Sequence, residues 1–250
     1  MDIIEQNGQR RFCGNYRIAG HVFSLKSCFI KVHRMCEQYA CDEAAEFSVE
    51  TTWDDIRKEQ EYSDRENSLE QLPQNKMPAS LLETTAVYRK LTERLVEKGL
   101  FLFHGSVVAV DGMAYLFTAK SGTGKSTHTR LWRELFGERA VMVNDDKPLI
   151  EPRVEATIVH GTPWNGKHKL GENISVPLRA ICILERCEEN HIERIPVAEA
   201  FPLLWQQTNR GSDVGGTLQL LEKTIATVPI YRLKCNMEPQ AAQIAYEAMK

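Results

Sequence analysis

At 250 residues, 42% of them hydrophobic, the chain is long enough to bury a real core, as one large or two small domains. A formal net charge of −3, with acids and bases interspersed, gives no global attraction to nucleic acid or an anionic membrane. No apolar run nears the roughly 18 residues of a membrane span.

The opening MDIIEQNGQRR has no apolar signal segment, so the expected location is the cytoplasm. Seven scattered cysteines, an odd number, suit a reducing compartment. The closest cluster, His33-x2-Cys36-x4-Cys41, lacks the second pair that a zinc site wants and reads as free thiols packed as small hydrophobes.

Residues 1–99 differ in texture from the rest and read as a smaller N-terminal α+β part with an accessory or substrate-recognition role. Tyr16 to Leu25 alternates apolar and polar residues, as one or two strands broken at Gly20. Asp54 to Lys76 is rich in charged and amide side chains and fits a solvated helix, a loop, or both. From about Ser80, Leu81, Leu82, Val87, Tyr88, Leu91, Leu95 and Val96 recur at helical spacing, with Gly99 as the C-cap.

Residues 100–250 carry an α/β pattern. Phe101 to Phe103 and Ser106 to Val110 are strand-like around His104-Gly105, and Asp111-Gly112 has hairpin-turn chemistry. Next comes MAYLFTAKSGTGKSTHTR, Met113 to Arg130: an apolar strand, a glycine-rich turn and a helix start. Such a turn lets successive backbone N–H groups converge on phosphates, assisted by the positive end of the helix. Ser121, Gly122, Thr123, Gly124, Lys125, Ser126 and Thr127 are therefore the expected nucleotide-binding residues. Lys125 brings charge to the phosphates, and the Ser126 hydroxyl can ligate Mg²⁺. Ala119 stands where a first glycine is usual.

A helix is expected over Lys125 to Phe136 and a buried strand over Ala140 to Val143. Further strands are expected at Thr157–Val159, Ala180–Leu184 and Ile230–Leu233, and helices at 197–207, 213–227 and 238–249. Asn144-Asp145-Asp146 closes the strand after the glycine loop. The 19 residues from Ser126 to Asp145 suffice for a helix, a turn and a strand returning to the same sheet edge. That would set two carboxylates beside the phosphates, one for Mg²⁺ and one to accept a proton from an attacking hydroxyl. The same pair would also suit a solvated turn. His104, at a strand end, reads as structural on its own. In GTPWNGKHK, Lys167 or Lys169 would help neutralise phosphate charge, or the run is a plain surface loop. Arg210 is a further candidate for that work.

The order of motifs from about Phe101 to Cys235 resembles the catalytic domain of HPr kinase/phosphorylase: His104-Gly105, a hairpin, AKSGTGKST, NDD, HGTPWNGK, VPLRAICILER and VPIYRLKC. That family shares a P-loop fold with the ATP-dependent phosphoenolpyruvate carboxykinases. The resemblance implies a P-loop kinase domain over 100–250, with Lys125 on the phosphates, Ser126 and Asp145 on Mg²⁺, Asp146 as base and His104 supporting it. It implies ATP and Mg²⁺ as cofactors and a hydroxyl acceptor: a Ser on a peptide or protein, or a small-molecule alcohol. It carries neither HPr as substrate nor the reverse phosphorylase reaction. Relatives of this kind form oligomers, although nothing in these residues requires it. The competing reading is a nucleotide-dependent binding or regulatory module with little or no phosphotransfer.

Overall fold

A computed structural model describes residues 1–6, 9–69, 71, 73, 76–120 and 122–250. The chain divides into two compact units, 1–94 and 95–250, with the division in the last turn of a helix.

The first unit holds β1 (Asp2–Gln6), β2 (Gln9–Ile18), β3 (His21–Ser27), α1 (Ile30–Met35), β4 (Phe47–Glu50), α2 (Trp53–Leu69) and most of α3 (Ala79–Val96). Its sheet runs β1-β2-β3-β4; the first three strands are antiparallel, and β4 joins β3 in parallel. The break expected at Gly20 is a two-residue turn, with Ile18 opposite His21. Alternation turns Phe23 and Leu25 of β3 to one face, and both are buried, as are Val22, Val32, Phe47 and Val49. The charged stretch left open in the sequence is helical over Trp53–Leu69. Only Ile56 and Glu59 of it are buried, so it is a solvated helix with a narrow inner edge. Positions 70, 72, 74 and 75 of that stretch lie outside the described residues. Gly99 closes α3: Leu100 N–H reaches back to the Leu95 carbonyl at 3.0 Å, as a glycine C-cap requires.

The second unit is an α/β arrangement around a large mixed sheet. In chain order it contains β5 (Phe101–Leu102), β6 (Ser106–Val110), β7 (Met113–Thr118), α4 (Lys125–Phe136), β8 (Ala140–Asn144), β9 (Leu149–Pro152) and β10 (Thr157–His160). It continues with β11 (Ser175–Arg186), β12 (His191–Arg194), α5 (Val197–Gln207), α6 (Val214–Thr227), β13 (Ile230–Cys235) and α7 (Pro239–Met249). The main path is β5-β9-β10-β11-β7-β6-β8; β13 adds to β11 in parallel, and β12 to β13.

Both faces of this sheet are covered, which is why its central strands are apolar throughout. Val107, Ala109, Ala114, Leu116, Ile181 and Ile183 pack with Leu204, Leu220, Leu221 and Ile225 of α5 and α6. The alternate residues, Val108, Val110, Tyr115, Phe117, Ala180 and Cys182, pack with Leu131 and Trp132 of α4 and with Ala241, Ala242, Ala245 and Met249 of α7. Strand β8 does not neighbour the glycine-loop strand directly. The hairpin partner β6 lies between them, antiparallel to both. The C-terminal ends of β7 and β8 therefore emerge at one end of the sheet. Among the described residues no helix is long and apolar enough to cross a membrane.

Candidate functional site

The glycine loop connects β7 to α4. Gly122 and Gly124 sit at φ +77° and +124°, a region that side chains rarely adopt, so both positions need glycine. Ala119 has no such torsion and is fully buried in the core on the α4 side, which explains the missing first glycine. Gly124 is the N-cap of α4 and offers no side chain to its first turn. The amides there stay available to an anion. Ser121 lies outside the described residues. Gly122 and Ser126 are exposed, while Thr123, Gly124, Lys125 and Thr127 are half-buried.

Arg186, at the end of β11, was not singled out in the sequence. Its Nε donates to the Thr123 carbonyl at 3.1 Å, and Nη2 donates to the Gly122 carbonyl. A guanidinium thereby fixes two peptide planes of the loop. Thr123 closes the turn on the Lys120 carbonyl through its hydroxyl, at 2.8 Å.

At the end of β8, Asn144 is fully buried. Its amide donates to the Thr162 carbonyl at 3.0 Å, and its oxygen accepts from Asp146 N–H at 2.9 Å. This local turn sets the direction of the following two acids. The Asp146 carboxylate meets His104 Nε2 at 3.3 Å and Lys147 Nζ at 2.8 Å. Burial alone would raise its pKa, but the His104 hydrogen bond and the Lys147 charge outweigh that and hold it at about 2. His104 is positioned in turn: its N–H donates to the Gln207 carbonyl at 2.8 Å, and Gly105 N–H donates to the Asp146 carbonyl at 3.0 Å. Burial pushes the Lys125 ammonium below its usual range, the Asp146 charge works against that, and Lys147 reinforces it. Lys125, Asp146 and Lys147 therefore share one electrostatic neighbourhood. Among the described residues Lys125 has no carboxylate within ion-pair reach; Nζ meets only the Ala119 carbonyl, at 3.5 Å.

Asp145 has a different setting. It is almost fully buried, and one oxygen accepts from Gly166 N–H at 2.6 Å. Burial raises its pKa, while hydrogen bonds from the Gly166 and Leu170 amides pull the other way. Its carboxylate thus ties down the 161–171 loop. A Cβ on Gly161 would meet the Glu172 carbonyl at 1.8 Å and the Val143 carbonyl of β8 at 2.8 Å, so the loop lies tight against the sheet and its own far end. Lys167 and Lys169 are exposed on the loop. Arg210 is exposed and lies over the Trp205 ring at 5.7 Å. In the first unit, His33 Nδ1 pairs with Tyr16 Oη at 2.7 Å, and Cys36 is buried. Among the described residues no group of three His, Cys, Asp or Glu could hold a metal by itself.

A family model described as "SynChlorMet cassette protein ScmC" matches residues 69–240. No curated protein matches. Among solved structures, the Hpr(Ser) kinase/phosphatase from Coxiella burnetii is similar at 11% identity and a TM-score of 0.34, covering 59% of this chain and 93% of that one.

Proposed function

The chain belongs to the ScmC family of SynChlorMet cassette proteins, and from that premise and the geometry of its site we propose that it is an ATP-dependent kinase acting on a hydroxyl acceptor. The reading extends the resemblance to P-loop kinases of the HPr kinase type. The observation that carries it is the convergence of Lys125 and the His104–Asp146 pair at one end of the sheet. A half-buried ammonium without a carboxylate partner suits a polyphosphate, and the open first turn of α4 suits it too.

A magnesium ion would arrive with the nucleotide. Mg²⁺ keeps its waters and phosphate ligands and needs only one or two protein oxygens, which the Ser126 hydroxyl and Asp145 would supply. When bound, the ion would neutralise charge on the phosphate oxygens. The chain's own residues do the rest. The loop amides and Lys125 hold the phosphates and stabilise the transferring group. Asp146, ionised down to a pH of about 2, accepts a hydrogen bond from the acceptor hydroxyl and aligns it. Such a weak base orients the nucleophile and takes its proton only late, when the hydroxyl has become acidic. His104, at 3.3 Å, holds Asp146 in place for that work. The acceptor is a Ser on a peptide or protein, or a small-molecule alcohol, met in the cytoplasm.

The test is incubation with γ-labelled ATP and a lysate of the source cell. The account expects a labelled acceptor with the wild type and none with Asp146→Asn. Tight nucleotide binding without any labelled acceptor would make the protein a nucleotide-dependent binding module instead.

A further inference from the structure

Beside the glycine loop is a cavity of about 500 Å³ that neither His104 nor Asp146 lines. The loop and the first turns of α4 form part of its wall, and the C-terminal ends of β11 and β13, with the residues just beyond them, form the rest. Its apolar lining includes Leu131, Leu184 and Met237, and Met237 is 74% exposed at the chain's surface. Thr127 also lines it, one residue past Ser126, so the cavity continues from the place where phosphates would lie.

His128 lines the same cavity, although it is only 3% exposed. Trp132 Nε1 donates to His128 Nε2 at 3.0 Å. An indole N–H is only a donor, so Nε2 must be the unprotonated nitrogen. The ring proton is then on Nδ1, which is buried and finds no partner among the described residues. A buried donor left unpaired is unfavourable, and each such group in a native structure calls for an explanation.

We propose that this cavity holds the purine nucleoside of the nucleotide whose phosphates lie on the glycine loop, with the base against Leu131, Leu184 and Met237 and His128 Nδ1–H donating to a purine ring nitrogen. The proposal rests on the phosphate-site reading above. A two-ring base fills an apolar cleft of this size and offers its π face to the Met237 sulfur. A pyrimidine leaves part of the wall without contact.

Calorimetric titration with ATP, CTP and tripolyphosphate, each with Mg²⁺, tests it on the wild type, Met237→Ala and His128→Phe. The wild type should bind ATP at least about tenfold more tightly than tripolyphosphate, and more tightly than CTP. Each substitution should weaken ATP by about 3- to 10-fold and leave tripolyphosphate within about twofold. If His128→Phe fails to fold, the exposed Met237→Ala carries the comparison. ATP no tighter than tripolyphosphate, or equal loss of both ligands in Met237→Ala, overturns the nucleoside pocket and leaves the phosphate site standing. No binding of either ligand to the wild type removes the phosphate site and the pocket with it.

Discussion

The two units use acidic side chains in opposite ways. In residues 1–94 the buried Glu83 accepts from Cys28 N–H at 2.6 Å, Phe29 N–H at 2.8 Å and Thr51 Oγ1 at 2.7 Å. Glu59 is gripped by Arg89 through two bonds of 2.7 and 3.0 Å. These carboxylates are consumed by the fold: their lone pairs close loops and join helices. In residues 95–250 the acids at the end of β8 are divided. Asp145 gives one carboxylate oxygen to the 161–171 loop. Asp146 stays partly open to solvent, with a histidine on one oxygen and a lysine on the other. Burial of charge is therefore no mark of a site by itself. The mark is a charged group that remains reachable while donors nearby are left open, as at Lys125 and the first turn of α4.

Substitutions can break or sharpen this contrast. The largest effect should come from Asp146→Asn, which should cut phosphate transfer by about 10²–10⁴-fold while nucleotide affinity stays within a few-fold. An unchanged turnover number would move Asp146 into the same class as Glu83. Glu83→Ala should do the reverse. Three donors lose their acceptor, for a loss of about 3 kcal/mol or more in denaturant unfolding of the first unit. A stability change below about 1 kcal/mol would show that Glu83 does not organise those loops.

How much of this was legible beforehand follows from the range of the forces involved. Lys125–Phe136 and Val197–Gln207 were readable to the residue, because helical periodicity and caps are local. Strand β9 was missed: it is four residues long and ends in Pro152. Strand β12, His-Ile-Glu-Arg, is mostly exposed and shows no apolar pattern. The placement of β6 between β7 and β8 depends on pairing between distant segments, which no window of sequence records. The glycine loop and the acid pair carry local motifs and could be named, but which acid faces the His104 side could not. That choice is made by Asn144 and by the Gly166 amide, 21 residues after Asp145. Arg186 left no local signal, since one arginine at a strand end is ordinary until the fold brings it to Gly122 and Thr123.

Two smaller effects extend the comparison. Each unit buries a neutral histidine: burial lowers His33 to about 4 and His128 to about 3. The unfolded chain then binds these protons first, near pH 6.5. Stability that is complete above that pH is lost as pH falls toward the folded-state values, by about 1.4 kcal/mol per pH unit per histidine. Unfolding free energies between pH 7 and 5 should therefore fall more steeply for the wild type than for His33→Phe. Parallel curves would refute a neutral His33. The smallest expected effect is at the hairpin before the glycine loop. There Asp111 and Gly112, at φ +51° and +79°, form the turn. Gly112→Ala should cost about 1 kcal/mol in thermal unfolding, with transfer activity unchanged.

The central claim is that Lys125 and the acids after β8 serve one polyphosphate. Titrating Mg·ATP into the wild type and into Lys125→Met by calorimetry addresses it directly. The account predicts saturable heat for the wild type and affinity at least about 100-fold weaker for the variant, the loss of a desolvated charge pair. A wild type that releases no heat, or a variant that binds as well as the wild type, would contradict it.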